Sequence, residues 1–348
     1  MKKALAGRSS WGQSRRSAEH RRAGPGRPHP GTRLARRARR RRLGARPSHA
    51  LTPAQGAIIG LLVPVIGLVL ARKRLGAPRL VTLALVSAVP VAVAAVAPRR
   101  KWRYAAVGAA YMWSFTVTWT LPYERPEKLR KRLRIDYPVR VDTWLGFGVP
   151  PTVRLQRALR DPPRVTGLDR LVLVVYGSWI VPHALLAWLL LRHDEYVPRA
   201  AGRLAAAYHL TTPFYYLLPT APPWWASEEA GRMGGEVERV RRHVLNSLAG
   251  RPRQTEGEPA GNPWGSMPSD HIASAAITAM GLAELGPVYG AVGWSYVAAA
   301  SFSVVYLGEH YLIDVLVGLA LALAIQRGEA WATPLVHRTV LELDRLAS

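Results

Sequence analysis

Cysteine is absent from all 348 residues, which excludes disulfides, thiolate chemistry and any Cys-ligated zinc or iron–sulfur centre. Acidic residues are scarce, 22 against 48 Lys and Arg, and the shortage is uneven. Residues 1–50 hold sixteen basic residues and one acid, Glu19, among Pro, Gly and Ser with almost no apolar periodicity. They supply +15 of the formal net charge of +26, so the extreme basicity is mostly a property of this end. Such a segment lacks the apolar surface to fold and reads as a disordered basic tail. Its simplest use is as a solvated cytoplasmic arm beside anionic lipid; an over-extended start site is a second reading, and no nucleic-acid partner is expected. Arg15-Arg16 and Arg21-Arg22 stand too far from the first apolar run for a secretory or twin-arginine signal, so no cleaved peptide is expected. Internal repeats are also lacking, and no lysine follows Lys131.

What the chain does have is apolar runs with polar punctuation, of the length that spans a hydrocarbon core of roughly 30 Å. About eight are visible: Gln55 to Leu70, Leu80 to Val96, Tyr104 to Leu121, Leu171 to Leu191, Leu204 to Leu218, Ser269 to Leu285, Val288 to Leu307 and Glu309 to Ile325. The expected fold is therefore all-α, a polytopic membrane bundle of about eight transmembrane helices. Its regions are the tail (1–50), N-terminal membrane helices (51–122), a charged proline-rich connector (123–167), a membrane core (168–330) and a C-terminal tail (331–348). Trp144, Leu145 and Phe147 suggest that the connector dips into the interface. Pro219-Thr220-Ala221-Pro222-Pro223-Trp224-Trp225 stops the fifth run, with the tryptophans as interface anchors. Val237, Val240, Val244 and Leu248 predict an amphipathic helix lying on the membrane, with Arg239, Arg241 and Arg242 interleaved. His183 and His209 read as packing or network residues. GxxxG spacings such as Gly286 to Gly290 are too common in apolar helices to carry weight.

Two motifs about forty residues apart stand out: Gly265-Ser266-Met267-Pro268-Ser269-Asp270-His271 and Tyr306-Leu307-Gly308-Glu309-His310-Tyr311-Leu312-Ile313-Asp314. Ionisable groups at the ends of apolar spans are costly and call for a reason. One hairpin separates the motifs, so His271 and His310 must lie at the same membrane face, together with the end of the Pro219–Trp225 segment. With the N-terminus inside and eight spans, that face is extracytoplasmic, and a plasma-membrane location is expected. Ser269 starts a helix, where it can cap the first turn or donate to an anion bound by the free N–H groups. Asp314 stands four residues after His310, where a carboxylate can orient an imidazole and free its other nitrogen for attack. His271 then fits the acid that protonates a departing oxygen, which is the division of labour that phosphoryl transfer requires.

Pro268-Ser269-Asp270-His271 and His310-x3-Asp314 resemble two of the three signature motifs of the type 2 phosphatidic acid phosphatase superfamily. Pro219 to Pro223 and Tyr306 to Asp314 are most similar to its inositol phosphorylceramide synthase branch. The resemblance covers about residues 170 to 326. It implies a phosphatase core of six-helix type, His310 as a nucleophile forming phosphohistidine, Asp314 orienting it, His271 as general acid, Ser269 binding phosphate, and no metal or cofactor. The implied partner is a lipid phosphate in the bilayer, hydrolysed or passed to a lipid alcohol; a non-enzymatic anchor for the basic tail is the rival from another class. Val304 stands where the family usually has an arginine, and the Lys/Arg motif before proline has no counterpart. Phosphate charge must then be met by Arg239, Arg241, Arg242 and Arg232.

Overall fold

A computed structural model describes residues 52–97, 102–181, 184–185, 197–252 and 262–346. The basic tail, Arg99-Arg100-Lys101, His183 and the end of the fourth apolar run lie outside the described residues.

The described residues are all-helical, with no strand among them. Three long helices come first: α1 (Pro53–Leu75), α2 (Arg79–Val96) and α3 (Trp102–Thr120). A capping box sets the start of α1, where Thr52 accepts from the Gln55 N–H and Gln55 answers to the Thr52 N–H. Gly76, at φ 62°, ends it in the left-handed conformation that glycine adopts without cost. Val69, Val86 and Val117 form the seam of the three helices, while Leu61, Val63, Leu70, Leu80 and Val91 stay exposed, as lipid-facing positions would be.

The stretch expected as a connector is also helical. After a 3-10 turn at Leu121–Glu124 come α4 (Pro126–Arg130), α5 (Asp136–Leu145) and α6 (Pro151–Leu159). Trp144 and Phe147 stand exposed at the end of α5, Phe147 at 90%. The remainder comprises α7 (Gly167–Gly177), α8 (Val197–Leu217), α9 (Pro223–Glu228), α10 (Val240–Leu248), α11 (Asp270–Leu285), α12 (Pro287–Tyr306) and α13 (Leu312–Leu346).

α11 is the axis of this part. Ile272 to Met280 are buried without a break, because α8, α12 and α13 surround the helix, and a helix wrapped on all sides is apolar all round. Gly290 and Gly293 of α12 let the backbones approach: a β-carbon there would come within 2.9 Å of Ala283 and 2.8 Å of Ala279. The Gly286 to Gly290 spacing set aside in the sequence is not what packs here: Gly290 and Gly293, three residues apart, make the contact.

Three described helices, α1, α2 and α12, are long and apolar enough to cross a membrane. Of the other expected spans, the fourth runs beyond the described residues, and α8, α11 and α13 fall short of that measure for physical reasons. The 16 residues of α11 rise only about 24 Å. α8 carries Arg203 and Pro213, and α13 continues past its expected end at Ile325 to Leu346, through Arg327 and Glu329. Those charges answer one another: Arg203 is 5% exposed and bonds Glu284 of α11 at 2.7 Å and Glu329 of α13 at 2.5 Å. Replacing Arg203 by alanine removes the guanidinium that both acids share, and breaking a buried pair this way costs about 3–5 kcal/mol. Arg203→Ala should therefore lower the thermal midpoint in detergent, read by loss of monodisperse protein on heating.

Candidate active site

Three loops meet at one end of α11, α12 and α13. The Pro219–Ala221 segment runs between two neighbours: the Arg134 N–H donates to Pro219 O at 2.8 Å, Ala221 N–H to Arg134 O at 3.0 Å, and Thr220 N–H to Trp264 O at 2.9 Å. It thereby fixes the start of the first motif, and the Ser266 N–H donates back to Thr220 O at 3.3 Å. The Trp224 N–H bonds Gly308 O at 3.0 Å, joining the same segment to the second motif. Gly308 turns the chain at φ 76° with the Glu238 carbonyl pressed against it, a position closed to a side chain.

The two histidines come together as expected, with ring centroids 5.9 Å apart. His271 sits in the first turn of α11. His310 does not open a helix: it lies in the turn before α13, held by its N–H to Val304 O at 3.1 Å. Asp314, in the first turn of α13, still meets it, with Oδ2 3.4 Å from His310 Nδ1. Oδ2 also accepts from the Tyr311 N–H at 3.0 Å and from the Ser266 hydroxyl. His271 has a carboxylate of its own, Asp270, 3.2 Å from Nδ1. The i+4 spacing that pairs Asp314 with His310 does not disclose this partner, which is the adjacent residue in the chain.

Ser269 occupies the N-cap position of α11 but does not cap, and its hydroxyl is fully buried. Ser269 Oγ and Asp314 Oδ1 are buried without a hydrogen-bond partner among the described residues, while each histidine Nδ1 faces its own carboxylate. Buried polar groups are nearly always bonded, so an orphan hydroxyl and an orphan carboxylate oxygen beside one helix N-terminus mark a place built for a polar ligand. The backbone here is tight. A β-carbon on Gly318 of α13 would lie 2.6 Å from Ser269 O, so Gly318→Ala should push α13 from the start of α11 and reduce turnover well before it reduces expression, measured on purified protein.

Residues that the motifs did not contain complete the site. Tyr176 stacks on His271 at 5.2 Å and Trp179 meets it edge-on at 6.0 Å. Fully buried Asp142, from α5, accepts from the N–H groups of Leu312 at 2.8 Å and Ile313 at 2.9 Å, and so caps the helix that carries Asp314. Burial pushes its carboxyl up to about 6, against the pull of those two N–H groups. Gln156 of α6 donates to Tyr306 O at 2.9 Å and to Glu238 O at 3.0 Å, pinning the turn before His310. Behind it Arg160 binds Glu238, whose carboxyl is held down to about 2 by His243 and by Arg160, with burial opposing.

The four arginines divide. Arg241 has its guanidinium 5.7 Å over the Tyr176 ring that stacks on His271. Arg239 bonds Glu309 at 3.2 Å and lies 4.1 Å over Trp224. Arg242 is paired with Glu228 at 2.9 Å and Arg232 with Asp136 at 2.7 Å, both turned to their own partners. Val304 is buried in the bundle core, so no charge replaces the expected arginine at that position. α10 buries Val240 and Val244 against Val172, Tyr306 and Leu307, which places its apolar stripe on protein, with Leu248 exposed. Trp224 is buried under Arg239 rather than standing as an interface anchor. His209 is a network residue, its Nδ1 2.6 Å from the Tyr111 hydroxyl.

A family model for the PAP2 superfamily matches residues 139–327, beginning inside α5 and ending within α13. No curated protein and no solved structure matches the chain.

Proposed function

The chain belongs to the PAP2 superfamily, whose members point to phosphatase or phosphotransferase chemistry, and from that premise we propose a membrane-embedded enzyme that cleaves a lipid phosphate ester through phosphohistidine. The observation that carries this reading is the facing histidine pair, each ring with its own carboxylate at Nδ1. Asp314 holds a proton on His310 Nδ1 and leaves Nε2 as the nucleophile. The P–N bond forms as the P–O bond to the leaving group breaks, and His271, its ring oriented by Asp270, gives that oxygen its proton. In the second step water or a lipid hydroxyl attacks phosphorus, His271 takes the proton back, and His310 is released. Ser269 Oγ, the free N–H groups of α11 and Arg241 meet the equatorial oxygens.

Hydrolysis and transfer use the same first step, and the inositol phosphorylceramide synthase-like reading favours transfer of a head-group phosphate. The test is phosphate or head-group release from phospholipids and prenyl phosphates by detergent-purified protein, with and without a lipid-alcohol acceptor and vanadate. Vanadate-sensitive release supports the reading; a folded protein inactive in every arm rejects it, and the tail-anchor reading then takes its place. We further place the site on the extracytoplasmic face of the plasma membrane. Because the chain has no cysteine, Phe147→Cys supplies one unique thiol, and an impermeant maleimide should label it on intact cells. Labelling only after lysis would invert the topology.

A further inference from the structure

The carboxamide of Gln156 in α6, a residue 5% exposed, has both of its N–H donors and its oxygen engaged with backbone. Its Nε2 donates to Glu238 O at 3.0 Å and to Tyr306 O at 2.9 Å, and its Oε1 accepts from the Glu238 N–H at 2.9 Å. These partners lie 82 and 150 residues further along the chain. The junction is close as well as bonded. A β-carbon on Gly308, inside the turn that leads to His310, would stand 3.5 Å from Gln156 Nε2 and 3.2 Å from Glu238 O.

The two segments joined here carry opposite halves of the chemistry. Tyr306 ends α12 and begins the turn to His310, with its hydroxyl held separately by Asp169 at 2.6 Å. Residues 237–239 lead into α10 and so place Arg239, which bonds Glu309, and Arg241, which lies over Tyr176. This lead-in belongs to no helix, and its three N–H groups all go to side chains. Val237 donates to Ser227 Oγ at 2.9 Å, Glu238 to Gln156, and Arg239 to Glu228 at 2.9 Å. A backbone held in this way takes its position from those side chains. Ser227 and Glu228 tie it to α9, whereas Gln156 ties it to the turn that bears the nucleophile. Arg160, one helical turn after Gln156, holds the Glu238 carboxylate and leaves the Glu238 backbone to Gln156.

We infer that Gln156 is a positioning residue: it touches no substrate and sets the separation between His310 and the arginine-bearing segment that faces the phosphate. The inference rests on the phosphohistidine reading for what is positioned. A displacement of about 1 Å costs roughly 10²-fold, so Gln156→Leu should lower kcat by about that factor, counted per mole of monodisperse full-length protein, with KM for lipid within about twofold. Gln156→Glu, of the same size, separates positioning from general stability and decides the matter if the leucine variant does not fold. Ionised, its carboxylate has no donor for Tyr306 O or Glu238 O. Protonated, its O–H donates to one of them while its carbonyl oxygen accepts from the Glu238 N–H. Burial and the two facing carbonyls favour the protonated form, and Arg160 favours the ionised one. The ratio of Gln156→Glu to wild-type kcat should therefore rise about tenfold from about pH 8 to about pH 5, as one hydrogen bond is regained, while the Gln156→Leu ratio stays flat. Arg157, Asp169, Glu236, Glu238 and His243, the other ionisable groups around this junction, are common to all three proteins and cancel in the ratio. Unchanged kcat in Gln156→Leu, a loss confined to KM, or a low Gln156→Glu ratio independent of pH overturns the inference. Turnover that depends on Gln156 in this way yet survives His310→Ala would keep the positioning role and reject the phosphohistidine reading. Turnover that needs His310 and is indifferent to Gln156 would do the reverse, and a folded wild type inactive on every lipid would reject both.

Discussion

Replacing His310 by alanine should lower lipid phosphate cleavage by about 10⁴-fold or more, since loss of a nucleophile leaves only binding and electrostatic stabilisation. No neighbour offers a substitute: Ser269 has no base within its recorded bonds, and His271 is committed to Asp270. The fold should survive, because the turn is held by the backbone N–H of His310 on Val304 and Asp314 keeps its bonds from Tyr311 N–H and Ser266. His271→Ala removes proton transfer but not attack, and a smaller loss of about 10²–10⁴-fold is expected for the natural lipid. With an aryl phosphate, whose leaving group needs no proton, that loss should shrink while the His310→Ala loss should not. Equal losses of His271→Ala activity on both substrates would contradict the assignment of the acid.

The second large effect comes from a residue that touches no substrate. Asp142→Ala leaves the N–H groups of Leu312 and Ile313 without acceptors and removes the cap from α13. Lost caps cost about 0.5–2 kcal/mol of stability. The catalytic cost should be greater, because Asp314 lies one residue beyond Ile313 and a displacement of about 1 Å in a catalytic group costs roughly 10²-fold. The expected signature is a fall in kcat with KM for lipid nearly unchanged. Asp142→Asn keeps one acceptor and should recover part of the rate. A variant of unchanged kcat would show that α13 starts correctly without the cap.

The contrast between His310 and Asp142 also shows what the sequence could and could not disclose. His271 and His310 were legible because a single hairpin, α11 to α12, separates them, and two antiparallel apolar segments bring their ends to one face. The arrival of the Pro219–Trp225 segment at that face was legible for the same reason, whereas its bonds to Arg134 and Trp264 were not. Asp142 was not: its partners lie 170 residues away, and a lone aspartate in a short amphipathic helix carries no periodic signal. Gln156, Tyr176 and Trp179 were hidden likewise, since each reaches the site through tertiary packing. Asp270 stands inside the first motif, but helical spacing pairs residues at i+4, whereas at a helix start the adjacent residue can turn back to the imidazole. The arginines show the converse limit. All four share a loop or helix rich in charge, and only the placement of Glu228, Asp136 and Glu309 separates Arg241 from the rest.

Eight apolar runs were countable, yet among the described residues only α1, α2 and α12 meet the length and apolarity of a spanning helix. The remaining helices gain their place from protein contacts. α11 is enclosed on all sides, and α8 and α13 share the Arg203 ion cluster. Periodicity reports how apolar a segment is, not whether lipid or protein covers it.

The central claim is the covalent intermediate on His310. Mixing His271→Ala protein with a phospholipid labelled with ³²P at the ester phosphate, quenching in alkaline detergent and mapping the labelled peptide tests it directly. The account predicts label on the peptide containing His310, stable to alkali and released by acid, and none in the His271→Ala, His310→Ala double variant. Label that survives acid and maps to Ser269, or turnover with no labelled protein at any quench time, would contradict it.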